Sequence, residues 1–594
     1  MTASRLVVGR GAVGTFTLAL LASLLGLVSG VGAFLFRGLI GAFHNLLFLG
    51  RFSLFYDTNV HTGPSPWRIA VALVPAVGAV GVVFLVNNFA PEARGHGVPE
   101  VMDAIYYKKG VIRPIVAAIK SLASAVSIGS GGSVGREGPI IQIGAAFGSW
   151  IGRTFHVSRW QVATLVAAGG GAGIAATFNT PIGGVLFAVE VLLHEVSVRT
   201  LVPVALATGT ATYVGHFLFG DHPAFLIPAL HMPNSASAAL LPAYVCLGIV
   251  MALVAVVFIR VLYGTEDLFE KWLPKRPYTR HMLGMLGVGL TAEVMMLTSG
   301  HYYVQGVGYA TIMDVLTGTL SNVPFLLILF IAKLLATSLT LGSGASGGIF
   351  SPALFMGAVL GGAFGLCLRV FLPGLHVDAA ALALAGMAGL VAASTGAALT
   401  AIVMIFEMTL DYSVVLPMTV TVAVSYGLRR ILLSESIYTM KLARRGHPMP
   451  WALQANAGLV HHVTDMVIDK PLVMPEQTPG AQLEWGENDE APAECVLVKE
   501  NAVTGVLSRS WALGHRGALQ QAPTLSAVAR HDYVTVSSSA AIFEVLARMQ
   551  AAHASIAVVL QPASDIEALG PVLGIVTKEH LAEAIAEGME LFGN

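Results

Sequence analysis

One carboxylate stands where the chain is otherwise suited to hold an anion. Glu137 lies within Gly135-Arg-Glu-Gly-Pro139, and a second glycine-rich turn, Gly348-Ile-Phe-Ser-Pro352, follows 213 residues later. A turn of this kind opening a helix presents unpaired backbone N–H groups, and the helix dipole adds positive potential. Such ends hold an anion in an apolar setting without a full positive charge. A lysine there would bind the anion too tightly and be expensive to bury. Two helix starts, from Gly135 and Gly348, could face one anion, with hydroxyl donors completing the shell. Glu137 would then compete with that anion and yield when protonated. The plainer alternative is an acid that neutralises Arg136 or caps its helix.

Other chemistries fit poorly. Gly342–Gly347 matches GxGxxG, but an apolar, membrane-like segment precedes it and no βαβ unit surrounds it; neither loop carries Gly-Lys-Ser/Thr. Nucleotide binding at these loops is therefore not expected. Cys246, Cys367 and Cys495 are far apart and form no CxxC pair, which excludes a disulfide scaffold and the common cysteine-rich zinc sites. The apolar body shows neither a metal cluster nor a nucleophile–base pair, so no enzyme, metal or cofactor is expected.

The elements that must position Glu137 belong to a membrane body. Of 594 residues 55% are hydrophobic and only 11% charged, with mean hydropathy +0.74; soluble domains carry about 25% charge. The net charge of −1 argues against nucleic acid as a partner. Residues 447–594 hold 17 of the 34 acids but 7 of the 33 bases, leaving the first 446 residues basic. This divides the chain into a membrane domain (1–446), a linker (447–462) and an ordinary α/β tail (463–594). Apolar stretches from about Gly14 to Leu433 suffice for ten or more spans in contact with lipid. Arg5 and Arg10 before them, and Arg429, Arg430, Lys441, Arg444 and Arg445 after them, place both termini in the cytoplasm of a multi-pass cell-membrane protein. Gly, Ser and Pro interrupt the stretches at Gly95–Pro99, Gly129–Pro139, Gly169–Pro181 and Gly342–Pro352. Broken helices mark ion or substrate sites, although small residues also simply let helices pack.

The segments starting at Gly129 and Gly342 align without a gap and are identical at 10 of 24 positions. A weaker pair, ending near Glu190 and Glu407, follows at an offset of 217. Two halves on one plan suggest a repeat-built transporter with its site between them; spacing leaves open whether the halves are parallel or inverted. Phe350 occupies the position of Glu137 in the second half.

Together with Gly95-His-Gly-Val-Pro99 and Ser436-Ile-Tyr438, the two anion loops resemble the CLC family of chloride channels and chloride/proton antiporters, in the family's order across residues 95–438. The resemblance implies a mainly α, homodimeric membrane protein of inverted repeats with a pore in each subunit. It implies Glu137 as the gate for transported chloride. Backbone groups of Gly135, Arg136, Gly138, Gly348, Ile349 and Phe350 would surround the anion, with the Tyr438 hydroxyl near its central position. His96 stands where the family usually has serine, and its imidazole could offer an N–H to chloride or tune pH response. Val191 stands where family antiporters carry an internal glutamate. Valine cannot relay a proton, so passive channel conduction is preferred here to 2:1 chloride/proton exchange. A fluoride role, or a sensor that no longer transports, is a more distant alternative. Glu190 and Glu407 are expected to pack or to form salt bridges.

Within the tail, Glu494–Val498 with Gly505–Ser508, and Ser555–Leu560 with Gly574–Thr577, repeat a small α/β unit. This resembles a cytoplasmic tandem CBS pair. Such pairs can bind adenine nucleotides through an acid three residues after a Ser/Thr, but Trp511 and His580 occupy those positions, which argues against a nucleotide here.

Overall fold

The computed structural model describes residues 13–220, 238–375, 377–447, 449, 463, 469–483, 485, 492–500, 502–561 and 570–582. Apart from His447 and Met449, the 447–462 linker lies outside them. The chain forms two compact units, Arg10–Met449 and a smaller one that contains Pro450–Asn594.

The larger unit runs through one series of helices twice. The first series is α1 (Thr15–Leu49), α2 (Val74–Phe89), α3 (Val98–Tyr107), α4 (Pro114–Gly129), α5 (Glu137–Thr154), α6 (Arg159–Phe178), α7 (Pro181–Phe187) with a π-helical extension Ala188–Leu193, and α8 (Val198–Phe219). The second is α9 (Leu241–Trp272), α10 (Pro277–Ser299), α11 (Tyr309–Leu316), α12 (Val323–Ser343), α13 (Phe350–Phe371), α14 (Ala379–Thr395), α15 (Ala398–Thr409) and α16 (Val415–Leu432). A final helix, α17 (Thr439–Arg444), has no counterpart. Proline in the first turn starts α2, α3, α4, α7, α9, α10 and α12, where its missing N–H leaves no helical bond unmade. Among the described residues nine helices are long and apolar enough to cross a membrane. α4, α14, α15 and α7 with its extension are shorter apolar helices, so part of the expected span count is made of segments shorter than a full membrane crossing.

Helix packing repeats as well. α5 lies on α6 as α13 lies on α14, and α1 on α8 as α9 on α16. Gly144 and Gly169 face each other so closely that a Cβ on either would overlap the other's carbonyl, and Gly357 and Gly386 repeat this contact. The Gly169–Pro181 interruption expected from sequence is thus corrected. Gly169–Gly171 are interior residues of a continuous α6, where missing side chains permit close packing; the break falls at Asn179, in left-handed conformation, and Thr180.

The halves are also stitched reciprocally. Glu407 accepts the amides of Ile182 (3.0 Å) and Gly183 (2.7 Å) at the start of α7. Glu190 accepts those of Leu399 (3.0 Å) and Thr400 (2.8 Å) at the start of α15. Each acid caps the equivalent helix of the other repeat, satisfying two of its orphan donors. The repeats are inverted, and residues at equal positions meet across the axis relating them.

The smaller unit contains two three-stranded sheets of one topology. β1 (Leu472–Pro475) pairs parallel to β2 (Glu494–Lys499), which pairs antiparallel to β3 (Ala502–Ser508). β4 (Tyr533–Ser537), β5 (Ile556–Leu560) and β6 (Val572–Thr577) repeat this order. Val496 and Val506 of one sheet share a core with Ile556, Val558 and Ile575 of the other, an arrangement consistent with the tandem CBS-like reading. Ser508 Oγ accepts from the Trp511 amide (3.3 Å) and Thr577 Oγ1 from that of His580 (3.4 Å); both hydroxyls are engaged in helix capping.

Glu494 opens β2 with one carboxylate oxygen buried and without a hydrogen-bond partner. Burial pushes its carboxyl from the ordinary 4.5 up to about 7, with Asp532 and Asp469 adding and Arg530 opposing. Because the folded form binds the proton more tightly, stability should fall as pH rises from about 4.5 to about 7. Allowing for solvent screening, Glu494→Gln is expected to stabilise the tail at pH 8 by on the order of 1 kcal/mol and to change little at pH 4. Hydrogen-exchange protection of β2 and β3, variant against parent at each pH, measures this; equal protection at pH 8 would contradict it.

Candidate functional site

The two glycine-rich loops before α5 and α13 meet at the axis between the repeats. Gly135 N–H donates to Gly348 O (2.7 Å) and Gly348 N–H to Gly135 O (2.6 Å), an antiparallel bridge between residues at equal positions. The expectation that these two amides face an anion is therefore corrected: each is bonded to the other's carbonyl. A third loop joins them, with Gly95 N–H donating to Ala345 O (2.9 Å) and Gly347 N–H to Gly95 O (3.3 Å). A Cβ on Gly138 would collide with His96 O, so the loops touch backbone to backbone. α5 and α13 leave from this junction. The amides of Glu137, Gly138, Phe350 and Ser351 lie in their first turns, which have no intrahelical acceptors. Pro139 and Pro352 each remove one further donor.

Glu137 is completely buried. Its Oε1 accepts from the Tyr309 hydroxyl (2.6 Å) and from Ser351 Oγ, and Oε2 has no hydrogen-bond partner. The carboxyl group folds back against Gly135, where a Cβ would overlap Oε2. The Arg136 guanidinium lies over the Tyr309 ring, 5.5 Å from its centroid, and its Nε is buried without a partner. A carboxyl group here occupies space between two helix N-termini, and its departure would leave that space lined by donors.

The sequence profile described as voltage gated chloride channel matches residues 77–430. The H(+)/Cl(-) exchange transporter ClcA of Yersinia pestis bv. Antiqua is 33% identical over 381 residues, 64% of this chain and 78% of that protein. The chain belongs to the CLC family. Solved structures agree in fold. A slow cyanobacterial Cl−/H+ antiporter aligns with TM-score 0.62 and 24% identity over 73% of this chain and 99% of its own. A eukaryotic CLC transporter aligns with TM-score 0.60 and 19% identity over 95% of this chain and 98% of its own.

Two features of this CLC chain escaped the reading of single motifs. Lys120 donates to Ala93 O (3.0 Å) and Gly95 O (2.7 Å), and Lys333 to Val304 O (3.1 Å) and Gly306 O (2.8 Å). Both amines are fully buried and hold the loop before α3 or α11. Each loop carries two glycines at positive φ: Gly95 and Gly97 at 80° and 86°, Gly306 and Gly308 at 57° and 80°. The signal was available, since the two lysines are 213 residues apart and Gly95-His-Gly-Val matches Gly306-Val-Gly-Tyr. The second feature is Tyr309, which that match places at the start of α11.

His96 and Tyr438 come together, ring centroids 6.0 Å apart. Tyr438 is buried just before α17, close enough to Glu137 to interact electrostatically. His96 Nε2 lies 3.4 Å from the Tyr263 hydroxyl, whose proton goes to Ile437 O (2.6 Å), and Nδ1 is buried without a partner. Arg94, His96, Tyr263, Glu266 and Lys441 line a small cavity beside the loop. Val191 is buried in the π-helical extension, which packs on α3, α6, α7 and α8. Phe350 packs on Phe178 with centroids 5.6 Å apart, and Ile349 is the buried N-cap of α13.

His96→Ser replaces a half-engaged imidazole by a small hydroxyl free to turn toward an anion. A stronger chloride preference over nitrate is expected, about threefold to tenfold for roughly one hydrogen bond. Reversal potentials under chloride/nitrate gradients test it; an unchanged ratio would make His96 a bystander.

Proposed function

We propose that the protein exchanges chloride for protons across a membrane, with Glu137 alternately occupying the anion's place and carrying the proton. The observation that carries this reading is the seat of Glu137: a fully buried carboxyl between the N-termini of α5 and α13, with one oxygen held by hydroxyls and the other unpartnered. A carboxylate is an anion and fits where chloride would fit; a neutral carboxyl no longer competes on charge. Proton binding and chloride occupancy thus become linked at one position.

Val191 taken alone favours passive conduction, and that preference gives way to exchange. The ClcA relative, one-third identical over most of its length, is named an H(+)/Cl(-) exchange transporter. With valine unable to relay a proton, the route to Glu137 runs through water or another titratable group. A homodimer with cytoplasmic termini and a regulatory tail completes the proposal, supported by family membership and the basic residues flanking the membrane body.

In liposomes with equal chloride on both sides, an imposed pH step should drive net uphill chloride movement. Glu137→Gln should abolish that coupling while raising passive chloride flux at neutral pH. Chloride that follows only its own gradient in the parent protein would restore the channel reading.

A further inference from the structure

Tyr309 and Ser351 reach Glu137 from two different elements of the second repeat. Tyr309 is the first residue of α11 and Ser351 the second of α13. Both donate to the same oxygen, Oε1, and their own hydroxyl oxygens lie 3.0 Å apart. All three side chains are buried. At the equivalent positions of the first repeat stand Val98 and Gly138, which have no hydroxyl. The inverted plan therefore supplies this donor pair once, on the side that meets the carboxyl.

We propose that Tyr309 and Ser351 form a hydroxyl latch that holds Glu137 in the anion's place and sets how readily protonation releases it. The inference rests on Glu137 being the gate. A carboxylate accepting two hydrogen bonds at one oxygen is favoured over the neutral acid, which accepts more weakly and must place a proton of its own. When the carboxyl takes up a proton and leaves, the pair need not be orphaned. One hydroxyl can donate to the other across their 3.0 Å separation, and the second proton turns to the arriving anion. Both states are then satisfied, which a buried polar cluster needs in order to switch without a large penalty. The Arg136 guanidinium lies over one face of the Tyr309 ring and helps to hold it in place. Tyr309 and Ser351 are in this sense positioning residues, acting through Glu137.

Among the described residues, Arg136 at the N-cap of α5, Tyr309 on α11, Lys333 on α12 and Tyr438 before α17 surround the carboxyl, and Arg37 on α1 interacts with Tyr309 and Arg136. A pH response routed through Lys333 or Tyr438 would persist without Glu137, and this separates them from the latch.

The test is chloride flux against pH in liposomes for the parent, Tyr309→Phe, Ser351→Ala and each of these in a Glu137→Gln background. Tyr309→Phe keeps the ring beneath Arg136 and removes only the donor; Ser351→Ala is a smaller change, should the first variant fold poorly. Each is expected to raise flux at pH 7 and to move the midpoint of acid activation up by about one pH unit, the shift that ~1.4 kcal/mol represents. In the Glu137→Gln background neither should add a pH response, because latch and gate act as one unit. Folded variants with the parent's pH profile would overturn the latch. If Glu137→Gln alters flux and its pH profile while these variants do not, the gate stands and the latch falls. If Glu137→Gln also changes nothing, the gate itself fails.

Discussion

Backbone at membrane depth cannot be left unpaired, and this one constraint organises the larger unit. Helices that stop inside the protein expose N–H and C=O groups which water cannot satisfy. The protein closes that deficit at its centre by pairing Gly135 with Gly348 through two mutual hydrogen bonds. Only glycine lets the loops approach this closely, since a side chain on Gly138 would strike the loop of His96. Pairing brings two helix N-termini to one place. Their remaining first-turn amides make that place attractive to negative charge. The site is thus a consequence of solving a backbone problem between two equal halves.

The same economy recurs away from the centre. Buried lysines hold the carbonyls of the loops before α3 and α11, and Glu190 and Glu407 cap helices in opposite repeats. Removing the carbonyl partners of either buried lysine would leave its amine unsatisfied, at about 1–3 kcal/mol or more for a charged group. These contacts tie the two repeats and their loops together around the centre. Three departures from two-fold symmetry meet at the centre: Glu137 against Phe350, Val98 against Tyr309, and Gly138 against Ser351.

Much of this was legible in the chain itself. Glycine and proline at fixed offsets reveal where helices break, and a carboxylate among them is conspicuous because so little else is charged. The repeat gave the halves, and the two-fold axis relating them appeared once equal positions were seen to face each other. Gly169–Gly171 were misread as a break because glycine disfavours helix in water, whereas here it permits α5 to lie against α6. Tyr309 and Ser351 looked ordinary, since a hydroxyl acquires meaning only from the group it meets in space. Glu190 and Glu407 were expected to pack or to pair with cations, and instead cap helices more than 200 residues away. Val191 illustrates the converse risk: one residue at one position pointed to passive conduction, while the ClcA relative carries the name of an exchanger.

The central claim is that Glu137 occupies an anion's place between the N-termini of α5 and α13. Anomalous diffraction from crystals of Glu137→Gln soaked in bromide locates anions directly. The account requires a bromide peak within hydrogen-bonding distance of first-turn amides from both helices and of the Tyr309 and Ser351 hydroxyls. A fully occupied peak elsewhere in the body, with nothing between those two helices, would contradict it.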